Sequence, residues 1–296
     1  MTLLSYQVFK TVADQGSFRK AADLLGLTPS AISHGISSLE SELGFSVLNR
    51  GKNGVTLTNY GERLLPYVNA VLNSDESLQQ VIAEFNGLKQ GTIKVGCFSS
   101  VCTNWMPDLM HGFHKLYPAI TIEVFQGTYD DVVYWLKNGV VDLGFLSLSS
   151  AGDIPIEPLY KDPLLCIVPP GMMISRDGQR VTVEELRDCQ FVTQRESTDA
   201  DIQNFLKENN LNVVSHYHVV DDLSTIAMVA NGFGICLMPE MVMADIPYEV
   251  DCFPIKPDAY RIIGISTLNP AGMAPAVRIF YNRVLEVYQQ EEFQKG

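Results

Sequence analysis

Three short helices separated by short turns are predicted at the N-terminus, and this succession constrains the fold more than any other feature. The first helix ends before Ser17, which can cap a second helix that stops at Gly26. Thr28 is a favourable N-cap and Pro29 suits the first helical position, so a third helix is predicted over 29–43. Two helices joined by so short a turn are typical of a helix-turn-helix.

The third predicted helix has one apolar and one polar face. At 100° per residue Ile32, Ile36, Leu39 and Leu43 share one side. The opposite arc carries small hydrogen-bonding side chains, namely Ser30, Ser33, His34, Ser37 and Ser41. Such side chains can approach base edges in a major groove, although a solvated face of an ordinary amphipathic helix would also be polar. The helix-turn-helix order favours the first interpretation.

A small β hairpin is predicted after the third helix. Residues 47–50 and 55–57 read as strands around an Asn-Gly turn, which places Arg50 and Lys52 at the tip. Cations at a hairpin tip are suited to contacting DNA phosphates. The first 57 residues are therefore predicted to be a winged helix-turn-helix domain, α-helical with a small β wing.

The formal net charge of −13 is unusual for a partner of DNA, so its distribution matters. Residues 1–60 hold five Lys and Arg against four Asp and Glu, which gives 5 − 4 = +1 and leaves −14 for the rest. We expect phosphate binding to be confined to the N-terminal domain.

The sequence GSFRKAADLLGLTPSAISHGISSLESELG, followed by LNR and LTNYG, resembles the N-terminal signature of the LysR-type transcriptional regulators. The ordered match covers about sixty residues. It departs from the family at His34 and Gly35, where Arg and Gln are frequent, so the resemblance does not give the operator sequence. On this basis the expected DNA contacts are Arg19, Thr28, Pro29, Ser30, Ser33, His34, Ser37, Arg50 and Lys52.

A long linker helix is predicted over 58–88, because Thr58 can cap it and an apolar stripe follows. The stripe repeats at spacings of 4, 3, 4, 3, 4 and 3 through Leu64, Val68, Val71, Asp75, Leu78, Ile82 and Phe85, in which the charged Asp75 weakens the seam. This seam predicts pairing with a second subunit, and packing on the chain's own C-terminal domain is the alternative.

The remaining residues alternate strands and helices, which predicts parallel sheets in an α/β domain. The resemblance implies a two-lobed effector domain similar to a periplasmic solute-binding protein. Its last segment would return to the first lobe, so that lobe I comprises 89–162 with 265–296 and lobe II comprises 163–264.

An effector would lie between the lobes, at the carboxyl ends of parallel strands where helix N-termini converge. The residues expected there are Ser99, Ser100, Thr128, Ser147, Gln194, Arg195 and, from a glycine-rich turn, Phe233. For Ser99, Ser100 and Thr128 helix capping is an equal alternative. Helix N-termini favour a small anionic effector, although Asp130 and Asp131 would repel one.

The sequence offers little for other functions. It holds no GxxxxGK[ST], GxGxxG, HExxH or GxSxG motif, and its six cysteines form no CxxC pair. His111 with His114, and His216 with His218, have no evident third ligand. We therefore expect no enzymatic activity, cofactor or metal. A solute-binding protein or an enzyme of small-metabolite metabolism remains the alternative.

These features together predict a cytoplasmic transcriptional regulator, because no signal peptide or membrane span is evident. Its expected partners are double-stranded operator DNA and a small-molecule effector. The resemblance adds a homodimer that assembles further into a homotetramer, and RNA polymerase as a further partner.

Overall fold

The computed structural model describes residues 1–51, 54–87, 89–194, 200–213, 215–219, 221–290 and 293. The chain divides into two compact units. One comprises Met1–Gly91 with Lys137–Val140 and Met273–Pro275, and the other comprises Thr92–Leu136, Val141–Gly272 and Ala276–Gly296. We call them the N-terminal and C-terminal units.

The N-terminal unit begins with the three short helices that the sequence predicts. Its elements are α1 (Leu3–Gln15), α2 (Phe18–Leu25), α3 (Pro29–Leu43), β1 (Leu48–Gly51), β2 (Gly54–Leu57) and α4 (Asn59–Phe85). The predicted bounds of the third helix are confirmed. Thr28 caps α3 by accepting a hydrogen bond from the backbone N–H of Ala31, and Gly44 ends the helix in the left-handed conformation.

The wing is anchored to the helices by backbone contacts. Glu40 Oε1 accepts hydrogen bonds from the backbone N–H groups of Val47 at 2.8 Å and Leu48 at 3.3 Å. At the start of α4, a Cβ on Gly61 would come within 2.1 Å of the carbonyl oxygen of Val47. Only glycine fits this approach, so Glu40 and Gly61 together allow the wing to pack against α3 and α4.

The linker helix α4 changes its environment along its length. Val68 is buried in the core of the N-terminal unit, with Leu64 partly buried beside it. Beyond them the predicted seam faces solvent, since Val71 is 44%, Leu78 54% and Phe85 84% exposed. Apolar side chains at heptad spacing on an exposed face are unfavourable in water and call for a partner.

The C-terminal unit alternates strands and helices. Its strands are β3 (Gly91–Cys97), β4 (Ile120–Gln126), β5 (Leu143–Ser147), β6 (Glu157–Val168), β7 (Val181–Thr182), β8 (Phe191–Gln194), β9 (Ser215–Val219), β10 (Cys236–Pro239), β11 (Asp251–Lys256) and β12 (Tyr260–Ser266). Its helices are α5 (Ser99–Asn104), α6 (Met106–Leu116), α7 (Tyr129–Lys137), α8 (Val183–Leu186), α9 (Ala200–Glu208), α10 (Asp222–Ala230) and α11 (Pro275–Tyr288).

Parallel pairing is confirmed for β3 with β5 and for β8 with β9. The prediction of parallel strands is wrong for β6 and β10, which run antiparallel, as do β6 and β11. The reason is that β6 is a long strand of 12 residues, and the later strands β10 and β11 both run against its direction. Its first half pairs with β12 up to Pro163, and its second half pairs with β10 and β11 from Leu164 onward.

We propose that this exchange of partners on β6 separates the two lobes. On this proposal the chain returns to lobe I earlier than the sequence suggested, because β12 from Tyr260 onward pairs with β5 and with the first half of β6. The proposed return therefore precedes Tyr260 instead of following residue 264. The sequence could not show this, since β12 looks the same in either lobe.

The cysteines are free thiols, of which Cys97, Cys166 and Cys236 are buried. Burial raises the pKa of each of these three thiols, so they remain protonated at neutral pH. In the described part of the chain, no helix combines the length and hydropathy that a membrane span requires.

Candidate functional site

The polar arc of α3 is accessible, as a surface that reads DNA must be. Most of the predicted contacts in and before α3 are exposed, namely Thr28, Pro29, Ser30, His34 and Ser37. Ser33 is partly buried. Arg19 on α2 and Arg50 on β1 are exposed as well. Lys52 lies outside the described residues.

The sequence suggested that Arg50 lies at the tip of the wing, but in the structure it does not. The last strand pair of the hairpin is Gly51 with Gly54, and Arg50 pairs with Val55 one step further back. The guanidinium of Arg50 lies 4.8 Å from the centre of the Phe18 ring. Its Nη atoms lie 3.4 Å from Ser33 Oγ and 3.5 Å from Ser37 Oγ. This long side chain therefore carries the wing's charge onto the polar arc of α3.

A shallow groove beside this arc gathers further positive charge. Its described lining includes Arg19, Lys20 and Arg50 and no carboxylate. The groove also contains Ser17, which caps α2 by accepting from the backbone N–H of Lys20. Three cations at the N-terminal end of a helix make a favourable environment for a phosphate. Lys20 was not among the predicted contacts, although it follows Arg19 directly.

A second candidate site is a cavity of about 250 Å³ inside the C-terminal unit. Residues from both proposed lobes line it. They are Phe98, Ser99, Ser100, Gln126, Gly127, Thr128, Tyr129, Asp131, Gln194, Asp201, Ile202, Asp221, Asp222, Pro239, Val242 and Arg261. The cavity lies where the ends of β3, β4 and β8 meet the starts of the following helices, as expected for an α/β fold.

Arg261 is the centre of a buried network beside this cavity. It is 4% exposed, and its Nε and Nη2 donate to Asp162 Oδ2 at 2.8 and 2.7 Å. Its Nη1 donates to Tyr129 Oη at 2.9 Å and its Nη2 to Ser100 Oγ at 2.7 Å. Burial opposes the charge of Arg261, but Tyr129 and Asp162 raise its pKa above the ordinary value for arginine. The guanidinium is thus charged and already committed to protein partners.

Asp201 joins the two proposed lobes across the cavity. Its Oδ1 accepts hydrogen bonds from Ser147 Oγ and Ser149 Oγ, both at 2.7 Å, and Tyr129 Oη donates to Oδ2 at 3.3 Å. Burial raises the pKa of Tyr129, which therefore remains a hydrogen-bond donor at neutral pH. These contacts hold the N-terminus of α9 against the lobe that contains β5.

The other carboxylates of the cavity occupy helix N-termini. Asp131 Oδ2 accepts from the backbone N–H of Thr128 at 2.8 Å and from its hydroxyl at 2.7 Å. Asp221 is the N-cap of α10, and hydrogen bonds from Ser224 hold its pKa below the ordinary value. Asp222 accepts from Gln194 Nε2 at 2.6 Å. Each carboxylate is therefore oriented by neighbouring donors.

The predicted effector residues are only partly brought together. Ser99, Ser100, Thr128 and Gln194 line the cavity. Ser147 is fully buried behind Asp201, and Arg195 lies outside the described residues.

Phe233 lies apart from the predicted effector residues that line the cavity. It is 43% exposed, does not belong to the described lining, and packs edge-on against Tyr217 at 5.4 Å between ring centres. The glycine-rich turn that contains it follows α10 at the far end from Asp221 and Asp222.

The sequence did not indicate several lining residues. Asp221 and Asp222 come two and three residues after the end of β9, so the rule of strand ends could have found them. Arg261 carries no such signal, because it lies on β12 and meets Ser100 across 161 residues of chain. Within the described ranges no group of three or more His, Cys, Asp or Glu side chains is arranged to hold a metal ion.

Comparison with known proteins agrees with this two-part organisation. The model of the bacterial regulatory helix-turn-helix protein, lysR family, matches residues 3–62, and that of the LysR substrate binding domain matches residues 86–289. The uncharacterized HTH-type transcriptional regulator YvbU of Bacillus subtilis (strain 168) is 26% identical over 294 residues, which cover 98% of this chain and 100% of that protein.

Solved structures share the fold. Full-length OxyR C199D from Pseudomonas aeruginosa superposes with a TM-score of 0.76 at 22% identity, covering 96% of this chain and 94% of that one. Full-length CbnR complexed with its target DNA has a TM-score of 0.65 at 20% identity, covering 97% and 99%. Since the two family models match both the N-terminal and the C-terminal units, the chain belongs to the LysR family of bacterial transcriptional regulators.

Proposed function

We propose that this protein is a sequence-specific DNA-binding transcriptional regulator whose activity is controlled by a small molecule in the cavity of its C-terminal unit. The observation that carries the proposal is the exposed arc of α3 with Arg50 lying on it. A rigid helix that presents small hydrogen-bonding side chains, flanked by cations, suits base reading and phosphate contact together. The structure of CbnR, which shares the fold, was solved with its target DNA.

The cavity supports the regulatory half of the proposal. It is lined by residues of both proposed lobes, and Asp201 links the lobes by hydrogen bonds. A ligand bound there would change the contacts between the lobes, and only such differential contact can shift a conformational equilibrium. The proposed effector residues that line the cavity are Ser99, Ser100, Thr128 and Gln194.

The proposed assembly is a dimer through α4, and by family resemblance a tetramer formed as a dimer of dimers. The exposed side chains of Val71, Leu78, Ile82 and Phe85 support the dimer, because they extend the heptad seam beyond the N-terminal core. We also propose that the protein acts in the cytoplasm and contacts RNA polymerase there. The proposed contact with RNA polymerase rests only on the family's role in transcription.

We expect Val71→Asp with Leu78→Asp to reduce the molecular mass in solution measured by light scattering. Two carboxylates in the seam would have to be buried in the dimer, whereas they are solvated in the monomer. The control variant, Ala70→Asp with Ser77→Asp, adds the same charges at the same seven-residue spacing, at one exposed and one partly buried position outside the predicted seam. If the seam variant retains the wild-type mass, α4 is not the main dimer contact.

A nuclease footprint on the DNA that flanks the protein's own coding region tests the proposed function. We expect a protected segment with half-sites about one helical turn apart or a multiple of it, because a two-fold dimer presents two copies of α3. A solute-binding protein or an enzyme of small-metabolite metabolism would leave that DNA unprotected.

A further inference from the structure

The charges around the cavity differ from those expected for an anionic effector. Its described lining contains four aspartates, Asp131, Asp201, Asp221 and Asp222, and one cation, Arg261. The charge of Arg261 is already matched by Asp162, which is fully buried against it. The lining as described is therefore strongly negative.

The helix N-termini do not restore a preference for anions. The sequence argument relied on free backbone N–H groups and positive dipole ends. In the structure the N-terminus of each of these helices carries its own carboxylates: Asp131 on α7, Asp201 on α9, and for α10 the N-cap Asp221 and Asp222 in the first turn. An anion bound there would compete with these carboxylates for the same partial charges.

The same carboxylates can serve a ligand that donates hydrogen bonds. An ionised carboxylate accepts at about four lone-pair positions, and Gln194 fixes Asp222 through a single 2.6 Å contact. Gln194 is itself only 7% exposed, so the side chain that orients the Asp222 carboxylate is held in the protein interior. Asp222 faces the cavity with acceptor capacity beyond its bond to Gln194.

The rest of the lining defines the size and body of the ligand. The described lining also includes the apolar side chains Phe98, Ile202, Pro239 and Val242. The volume of about 250 Å³ lies below the roughly 300–1,000 Å³ typical of small-molecule pockets, so the ligand must be small. A compact ligand with an apolar body and one charged end fits these surroundings.

We infer that the effector is a small organic cation, such as a primary amine with a short apolar body, whose charged group binds Asp222 and its neighbour Asp221. This inference rests on the proposed function, because it assigns the ligand class of the proposed effector cavity. It replaces the anionic effector that the sequence favoured.

Three probes with one carbon skeleton test the charge preference on the full-length protein: 3-methylbutylamine, 3-methylbutan-1-ol and 3-methylbutanoate. Isothermal titration at pH 7.5 and constant ionic strength should show the amine binding at least about tenfold more tightly than the other two, since it alone gains the carboxylate attraction. Tighter or equal binding of the alcohol or the carboxylate would overturn the inference, and so would the absence of binding by all three.

Two substitutions separate the cavity from the overall acidity of the protein. Asp222→Asn keeps an acceptor for Gln194 but removes the charge, and it should weaken amine binding about tenfold or more. Glu208→Gln removes one charge at the exposed far end of α9 and should leave amine binding unchanged. Equal losses in the two variants would show nonspecific attraction and overturn the inference.

DNA binding of the same preparation distinguishes the two possible failures. If the wild-type protein binds the DNA flanking its own coding region but prefers 3-methylbutanoate, only the charge class is wrong. If it binds no such DNA, the proposed function itself fails.

Discussion

Ser33→Glu should abolish specific DNA binding while leaving the fold intact. Ser33 lies on the polar arc of α3, so a carboxylate there would face the phosphates and base edges of the groove. It would also attract the guanidinium of Arg50, which lies 3.4 Å from the Ser33 hydroxyl, and so withdraw a cation from the DNA. Like charges across an interface cost several kcal/mol, so we expect at least about a hundredfold loss of affinity in a gel-shift assay.

Two further variants make this result specific. His34→Glu, at an exposed neighbouring position, should have the same effect, whereas Gln79→Glu adds an equal charge to an exposed position of α4 and should retain wild-type affinity. Circular dichroism should give the same spectrum for all three. Wild-type affinity in both α3 variants would show that another face of the domain contacts DNA.

Arg261→Met should destabilise the C-terminal unit by about 3–5 kcal/mol, because it leaves the carboxylate of Asp162 buried without its counter-ion. The loss of the donors to Tyr129 and Ser100 acts in the same direction. Both tryptophans of the chain, Trp105 and Trp135, belong to the C-terminal unit. Urea unfolding followed by tryptophan fluorescence therefore reports the effect directly.

The double variant Arg261→Met with Asp162→Leu is the control. It removes both charges together, and apolar replacements of a buried ion pair are often neutral or stabilising. We expect the double variant to recover most of the lost unfolding free energy. If it is no more stable than Arg261→Met alone, the penalty arises from packing and not from the unpaired carboxylate.

Local signals made the N-terminal unit predictable from sequence. Thr28, Pro29 and Gly44 define the ends of α3, and the spacing of its apolar residues defines its buried face. The position of Arg50 was harder to predict from the sequence, because a shift of one residue in the pairing of β1 with β2 decides whether Arg50 lies at the tip. The reach of its side chain to Ser33 and Ser37 depends on tertiary packing, which no local pattern encodes.

The cavity was predictable only where the chain leaves a strand. Ser99, Ser100 and Thr128 follow β3 and β4 directly, so the strand-end rule located them. Arg261 and Asp162 meet through the pairing of β12 with β6, and Asp201 reaches Ser147 across 54 residues of chain. These long-range contacts already occupy Arg261 and Asp201, and a reading of helix N-termini alone could not include them.

The central claim, sequence-specific DNA binding by α3, is tested most directly by fluorescence anisotropy. The labelled probe is the DNA fragment that flanks the protein's own coding region, and its competitor is a scrambled fragment of equal length and composition. At physiological salt we expect the flanking fragment to bind at least about a thousandfold more tightly than the scrambled one. Equal affinity for the two fragments would contradict the claim, because it would leave only the sequence-independent attraction of cations for phosphate.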